Sequence, residues 1–176
     1  FETFSLKDFN MSAPQNVLIS LEERHAENIL DGTKTVELRR RPMHVAIGAT
    51  VWFYVKVPVG SVIGCAKVAA VHTLAPSTLW NRFGPVSGLQ RREFFDYFSG
   101  LPTAFALSLK EPCRLAKPIP LSELRDVSSG FHPPQFFANV ASDGPLFQAM
   151  SRGLRPKRPT ASQKSGARHE SALALA

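Results

Sequence analysis

Lys34, Glu37, Arg39 and Arg41 are the residues of this chain whose types and spacing could do chemistry. They lie in Gly32-Thr33-Lys34-Thr35-Val36-Glu37-Leu38-Arg39-Arg40-Arg41, which directly follows a helix-like run and reads as a strand. Side chains alternate on a strand, so Val36 and Leu38 share one face while Glu37, Arg39 and Arg41 share the other. Two readings of the charged face compete. It is a solvated outer face laced with weak ion pairs, each worth roughly 0–1 kcal/mol. Alternatively, it is a pocket floor in which the carboxylate accepts amide or amine protons and the cations hold phosphate or carbonyl oxygens. Tyr54 and Trp52, two strands' worth of sequence further on, could add a stacking surface for a base, worth about 1–3 kcal/mol where it exists.

The elements that must position these residues read as follows. Asn16 to Ser20 is a short apolar strand, and Ser20 with Glu23 has the spacing of a capping box for a helix through His25, Ala26, Ile29 and Leu30. His25 is read as a helix-surface or core-edge residue. Gly32 stops the helix, and the charged strand ends near Pro42. Ala49 to Val57 is the next strand, with aromatics on both faces, so both faces must be covered. Val62 to Thr73 forms a long strand in which Gly64 marks a bulge or a close backbone approach. Short helices follow over 76–83 and 90–98, the second with Phe94, Phe95 and Phe98 as its apolar stripe. Strands are expected at 103–109 and 113–116, a helical turn at 121–124, and extended chain at 133–137.

Gly32-x-Lys34-x-x-Glu37-x-Arg39 resembles the G-x-K-x-x-E-x-R signature of the ASCH domain family, whose members have a PUA-like fold. The opening strand and helix resemble that family too, as do Trp80-x-x-Phe83-Gly84, Arg92-Glu93-Phe94-Phe95-Asp96-Tyr97-Phe98, Pro118-Ile119-Pro120-Leu121 and Phe131-x-Pro133-Pro134-Gln135-Phe136. The last segments are similar to ASCH proteins described as candidate transcriptional regulators. The resemblance spans roughly residues 16–137. It implies an α+β fold: a small PUA-like β-barrel of about five or six mostly antiparallel strands, with helices flanking a cleft. It also implies that the cleft binds nucleic acid, RNA before DNA, or a modified nucleoside. Lys34, Glu37, Arg39, Arg41 and Tyr54 are then the expected ligand-binding residues.

The same resemblance raises catalysis. Small bacterial relatives hydrolyse N4-acetylcytidine with a lysine, a threonine and a glutamate, and other ASCH proteins are ribonucleases. Lys34 matches the lysine and Glu93 the glutamate, but the threonine position falls on Glu37, so the presumed hydroxyl nucleophile is missing. Lys34, Glu37 and Glu93 are the expected catalytic residues if the protein is an enzyme, with a carboxylate acting as general base.

Composition bounds the alternatives. The chain has 176 residues, 44% of them hydrophobic, enough for one domain with tails. No run approaches the ~18–20 apolar residues of a membrane span. Phe1 to Asn10 is mixed in charge and does not read as a secretory leader, and Met11 is a candidate start. Cys65 and Cys113 are expected as free thiols in the cytoplasm. Histidines 25, 44, 72, 132 and 169 show no metal-ligand spacing, so neither a metal nor another cofactor is expected. The net charge of +7 is concentrated near the end: residues 152–176 hold six basic residues and one acid, leaving fifteen bases against thirteen acids before them. The expected organisation is a flexible leader over 1–15, a domain over 16–140 and a flexible basic tail over 141–176, with oligomeric state open.

Overall fold

A computed structural model describes residues 14–154. Six strands, β1 (Asn16–Leu21), β2 (Val36–Arg39), β3 (Thr50–Val55), β4 (Ser61–Leu74), β5 (Ala104–Pro120) and β6 (Phe137–Val140), form one sheet in the order β2-β5-β4-β3-β1-β6. All neighbours are antiparallel except β1 and β3, which run parallel. The helices are α1 (Glu23–Leu30), α2 (Pro76–Phe83), α3 (Arg91–Tyr97), α4 (Leu121–Val127) and α5 (Pro145–Arg152).

Alternation along the strands sorts the apolar residues into three cores. Val17, Ile19, Val51, Phe53, Val55, Phe105 and Leu107 fill one face of the sheet together with Ala26 and Ile29 of α1. On the other face, Leu18, Trp52, Tyr54, Val62 and Ile119 pack with Leu124 of α4 and Met150 of α5. At the β2–β5 end of that face, Val36, Leu38, Ala104 and Ala106 meet Leu79 of α2 and Phe94 and Phe98 of α3. The aromatics on both faces of β3 are therefore covered on both sides, as their alternation requires. The expected core role of Phe94 and Phe98 also holds, since each is at most 2% exposed.

Several expectations change. The sheet does not close into a barrel: β2 and β6 are its two edges. A side chain spans the gap instead. From β2, Arg39 donates through Nη1 to the Phe136 carbonyl beside β6 at 3.3 Å and through Nη2 to the Ser20 carbonyl of β1 at 3.5 Å. Its guanidinium also lies 6.0 Å from the Phe136 ring centroid. Ser20 is no helix cap. It belongs to β1, and its hydroxyl donates to the Pro134 carbonyl at 2.7 Å, which pins the 133–137 segment to the sheet. Segments 103–109 and 113–116 merge into the single long strand β5.

Gly64 sits where β4 shifts register, and a Cβ there would lie 2.6 Å from Leu30 Cδ2 and 2.7 Å from the Cys113 carbonyl oxygen. Only glycine lets α1 and β5 approach so closely. The flexible tail expected from residue 141 does not start there: α5 folds over 145–152 and buries Ala149 and Met150, with Met150 in the second core. The leader before residue 14 and the basic tail from 155 lie outside the described residues.

Candidate functional site: a charge-lined cleft between α1, β2 and α3

The charged face of β2 does not meet bulk water. Glu37 and Arg39 pair in register with Leu107 and Phe105 of β5, so they share the face that carries the first core. There the end of β1, helix α1 and helix α3 close around them. The result is a cleft of about 240 Å³ lined by side chains that include His25, Lys34, Glu37, Arg39, Lys56, Glu93 and Tyr97. Lys34 is 2% exposed, Glu37 5% and Arg39 8%, which rules out the solvated-face reading.

At the floor, Glu37 is held between two cations. Lys34 Nζ lies 3.6 Å from Glu37 Oε2, and Arg39 Nε lies 3.1 Å from Glu37 Oε1. The Arg39 Nε–H is not aligned on that oxygen and has no hydrogen-bond partner, so this contact is one of charge more than of a directed bond. Lys34 Nζ also donates to the Ser87 carbonyl at 2.6 Å. Burial and Glu37 act on Lys34 in opposite directions. Burial wins and pulls the ammonium below the usual lysine range, with Glu37 partly restoring it. Two buried cations flank one carboxylate, so the floor carries excess positive charge and suits an anion such as phosphate.

Glu93 sits at the mouth. Its carboxylate binds the Arg24 guanidinium across from α1, and that contact holds it below the usual carboxylate range. It also accepts from the Gln90 amide at 3.3 Å, which secures the start of α3. Lys34, Glu37, Arg39 and Glu93 thus converge on one hollow.

Arg41 and Tyr54 do not join them. β2 ends at Arg39, and Arg41 is exposed in the bend beyond it. Tyr54 is 3% exposed in the second core, because alternation along β3 turns it away from the face that carries Glu37. Trp52 is likewise interior, donating through Nε1 to Asn16 Oδ1 at 3.1 Å. Neither ring offers a surface to a base in this cleft.

Lining residues outside the expected set include Arg24, His25, Lys56 and Tyr97. His25 reaches the cleft from α1, and its Nδ1 is buried without a partner. Burial first, then the Lys34 charge, pulls its pKa below the ordinary imidazole range, so the ring is neutral at pH 7. Tyr97, named in sequence only within a segment of the family resemblance, lies one turn after Glu93 on α3; burial raises its pKa, and its hydroxyl is 3.5 Å from the Leu38 carbonyl. The i, i+4 spacing of Glu93 and Tyr97 was the available signal, since it places both on one helix face. Nothing in the spacing of His25 distinguished it from a core-edge histidine.

Fold and site together define a small α+β domain in which a curled sheet and two helices enclose a buried lysine–carboxylate–arginine cluster. The chain belongs to the ASCH domain family, whose model matches residues 19–111. It is 40% identical over 123 residues to a protein of Zymomonas mobilis named an ASCH domain-containing ribonuclease, covering 69% of this chain and 81% of that one. The crystal structure of ASCH from Zymomonas mobilis superposes with a TM-score of 0.75 at 34% identity, over 80% of this chain and 96% of that one. The N-terminal domain of Staphylothermus marinus McrB shares the fold, with a TM-score of 0.53 at 13% identity over 78% of this chain and 94% of that one. Among the described residues no group of histidine, cysteine, aspartate and glutamate side chains has metal-ligand geometry, and no helix is long and apolar enough to cross a membrane.

Proposed function

We propose that this protein binds RNA in the cleft and cleaves it. The observation that carries this reading is the buried Lys34–Glu37–Arg39 cluster at the floor of a hollow, in a chain 40% identical to a protein named a ribonuclease. Lys34 and Arg39 hold the non-bridging oxygens of a phosphodiester, and Lys56 adds charge at the rim. The neutral His25 ring and the Glu93 carboxylate are the proton acceptors near them. A ribose 2′-hydroxyl gives up its proton to one of these, and its oxygen bonds to phosphorus. The bond to the 5′ oxygen breaks, and that oxygen takes up the proton that the acceptor received. The products are a 2′,3′-cyclic phosphate and a free 5′-hydroxyl. DNA, which lacks the 2′-hydroxyl, would bind without being cut. We place the protein in the cytoplasm, in keeping with its two free cysteines.

Hydrolysis of N4-acylated cytidine is the weaker reading. Position 37 carries a carboxylate already engaged by two cations where a free hydroxyl nucleophile is needed. One experiment separates the two. Incubation with an RNA oligonucleotide and with N4-acetylcytidine, followed by mass spectrometry, should give cyclic-phosphate fragments and no deacylated nucleoside. Lys34→Ala should abolish the fragments, with circular dichroism confirming that the variant is folded. Tyr97→Phe, which removes only a hydroxyl, keeps the cleft testable if Lys34→Ala unfolds. Deacylation without RNA fragments would reverse the assignment.

A further inference from the structure

A second hollow of about 700 Å³ lies on the other side of the loop that holds Lys34. Its lining includes Asn28 from α1, Thr33, Asn81 from α2 and Gln90 before α3. No lining residue of this groove is ionisable, whereas the cleft is lined mostly by charged groups. The two hollows adjoin, because Leu89 lines both. Their common wall is fixed: the Thr35 amide donates to the Val86 carbonyl at 3.0 Å, and Lys34 Nζ donates to the Ser87 carbonyl. Gly88 keeps this wall low. Its φ is +72°, and a Cβ there would lie 3.2 Å from Lys34 Cδ and 3.5 Å from Asn28 Nδ2.

The chemistry of the two hollows is complementary to the two halves of a nucleotide. Phosphate oxygens need cations, which the cleft supplies. Base edges present donors and acceptors side by side, and a carboxamide presents the same pair. Single-stranded RNA is read through such edges when its bases are splayed from the stack.

We propose that the groove holds the nucleobase on the 3′ side of the phosphate seated in the cleft, so that the ligand is a single strand of at least two nucleotides and not a free nucleoside. The proposal rests on the RNA reading above. It assigns Asn81, exposed on α2, as a residue that contacts the base.

Two ligands test it by calorimetry: a dinucleoside monophosphate with a 2′-deoxy group at the scissile ribose, which resists cleavage, and the matching 3′-mononucleotide. The dinucleotide should bind about tenfold tighter, the scale of one specific base contact. Asn81→Ala should bring the dinucleotide down to the mononucleotide's affinity and leave the mononucleotide unchanged. Asn81→Asp, which puts a negative charge in the groove, should weaken the dinucleotide further. Equal binding of the two ligands, an equal loss for both, or unchanged dinucleotide binding in both Asn81 variants overturns the proposal. Failure of both ligands to bind the wild-type protein removes the RNA reading itself, and the groove with it.

Discussion

The cleft and the groove stand on either side of one short loop, yet they are built on opposite principles. The cleft holds its charges under cover. Lys34, Glu37 and Arg39 are nearly buried, so each charge depends on its neighbours for the solvation it has lost. The groove holds neutral amides in the open, on residues such as Asn81 and Gln90 that are exposed. The fold therefore leans on the first set of side chains and not on the second. The difference separates side chains that the fold depends on from side chains that it can exchange at little cost.

The sharpest way to break this comparison is Glu37→Gln. It leaves two buried cations without their shared counter-charge, and such a loss typically costs about 3–5 kcal/mol. A urea titration should show that loss together with loss of RNA cleavage. A change below about 1 kcal/mol, as a solvated strand face would give, would mean the cluster is not under cover. Phe94→Ala should cost a similar ~3–5 kcal/mol, because it empties the core beneath the helix that carries Glu93 and Tyr97.

A smaller effect is expected from acid. The folded His25 has a lower proton affinity than the unfolded one, so below about pH 6.5 the unfolded chain gains protons that the folded chain refuses. Stability should be level above that pH, fall as pH drops toward the folded pKa of His25, and level again beneath it as far as this group is concerned. His72, also held low mainly by burial, adds to the same slope. Thermal melts of His25→Gln between pH 5 and pH 7.5 should show a shallower slope than wild type; an unchanged slope would place His25 outside the covered set.

The smallest stability effects belong to exposed positions. Arg24→Ala removes the Arg24–Glu93 pair at the mouth, whose side chains are 52% and 36% exposed, and should change stability by only about 0–1 kcal/mol. Asn81→Ala should stay within about 0.5 kcal/mol of wild type. A cost above 2 kcal/mol for Asn81→Ala would show that the groove is part of the framework and would erase the contrast.

Much of this site could be read from the chain because strand alternation is a local rule. Val36 and Leu38 do fall opposite Glu37 and Arg39, and Lys34 does flank them. Arg41 was misplaced because the same rule was carried past the end of β2, where the chain bends. Tyr54 was misplaced for a different reason. Alternation says that Tyr54 and Phe53 face opposite ways, but not which face carries Glu37. That is fixed by the pairing of β2 with β5, β5 with β4 and β4 with β3.

By itself, the sequence determined the order of the elements from β1 to α4, the mixed α+β class, the family, and the presence of a lysine, a glutamate and an arginine within one short stretch. It could do so because apolar periodicity and a local signature are properties of neighbours along the chain. Tertiary structure alone decided that these charges lie under cover, that Arg39 bridges the open edges of the sheet, that His25 joins them, and that a neutral groove adjoins the cleft. Each of those facts depends on parts of the chain far apart in sequence, whose distances are set only when the sheet curls and the helices pack.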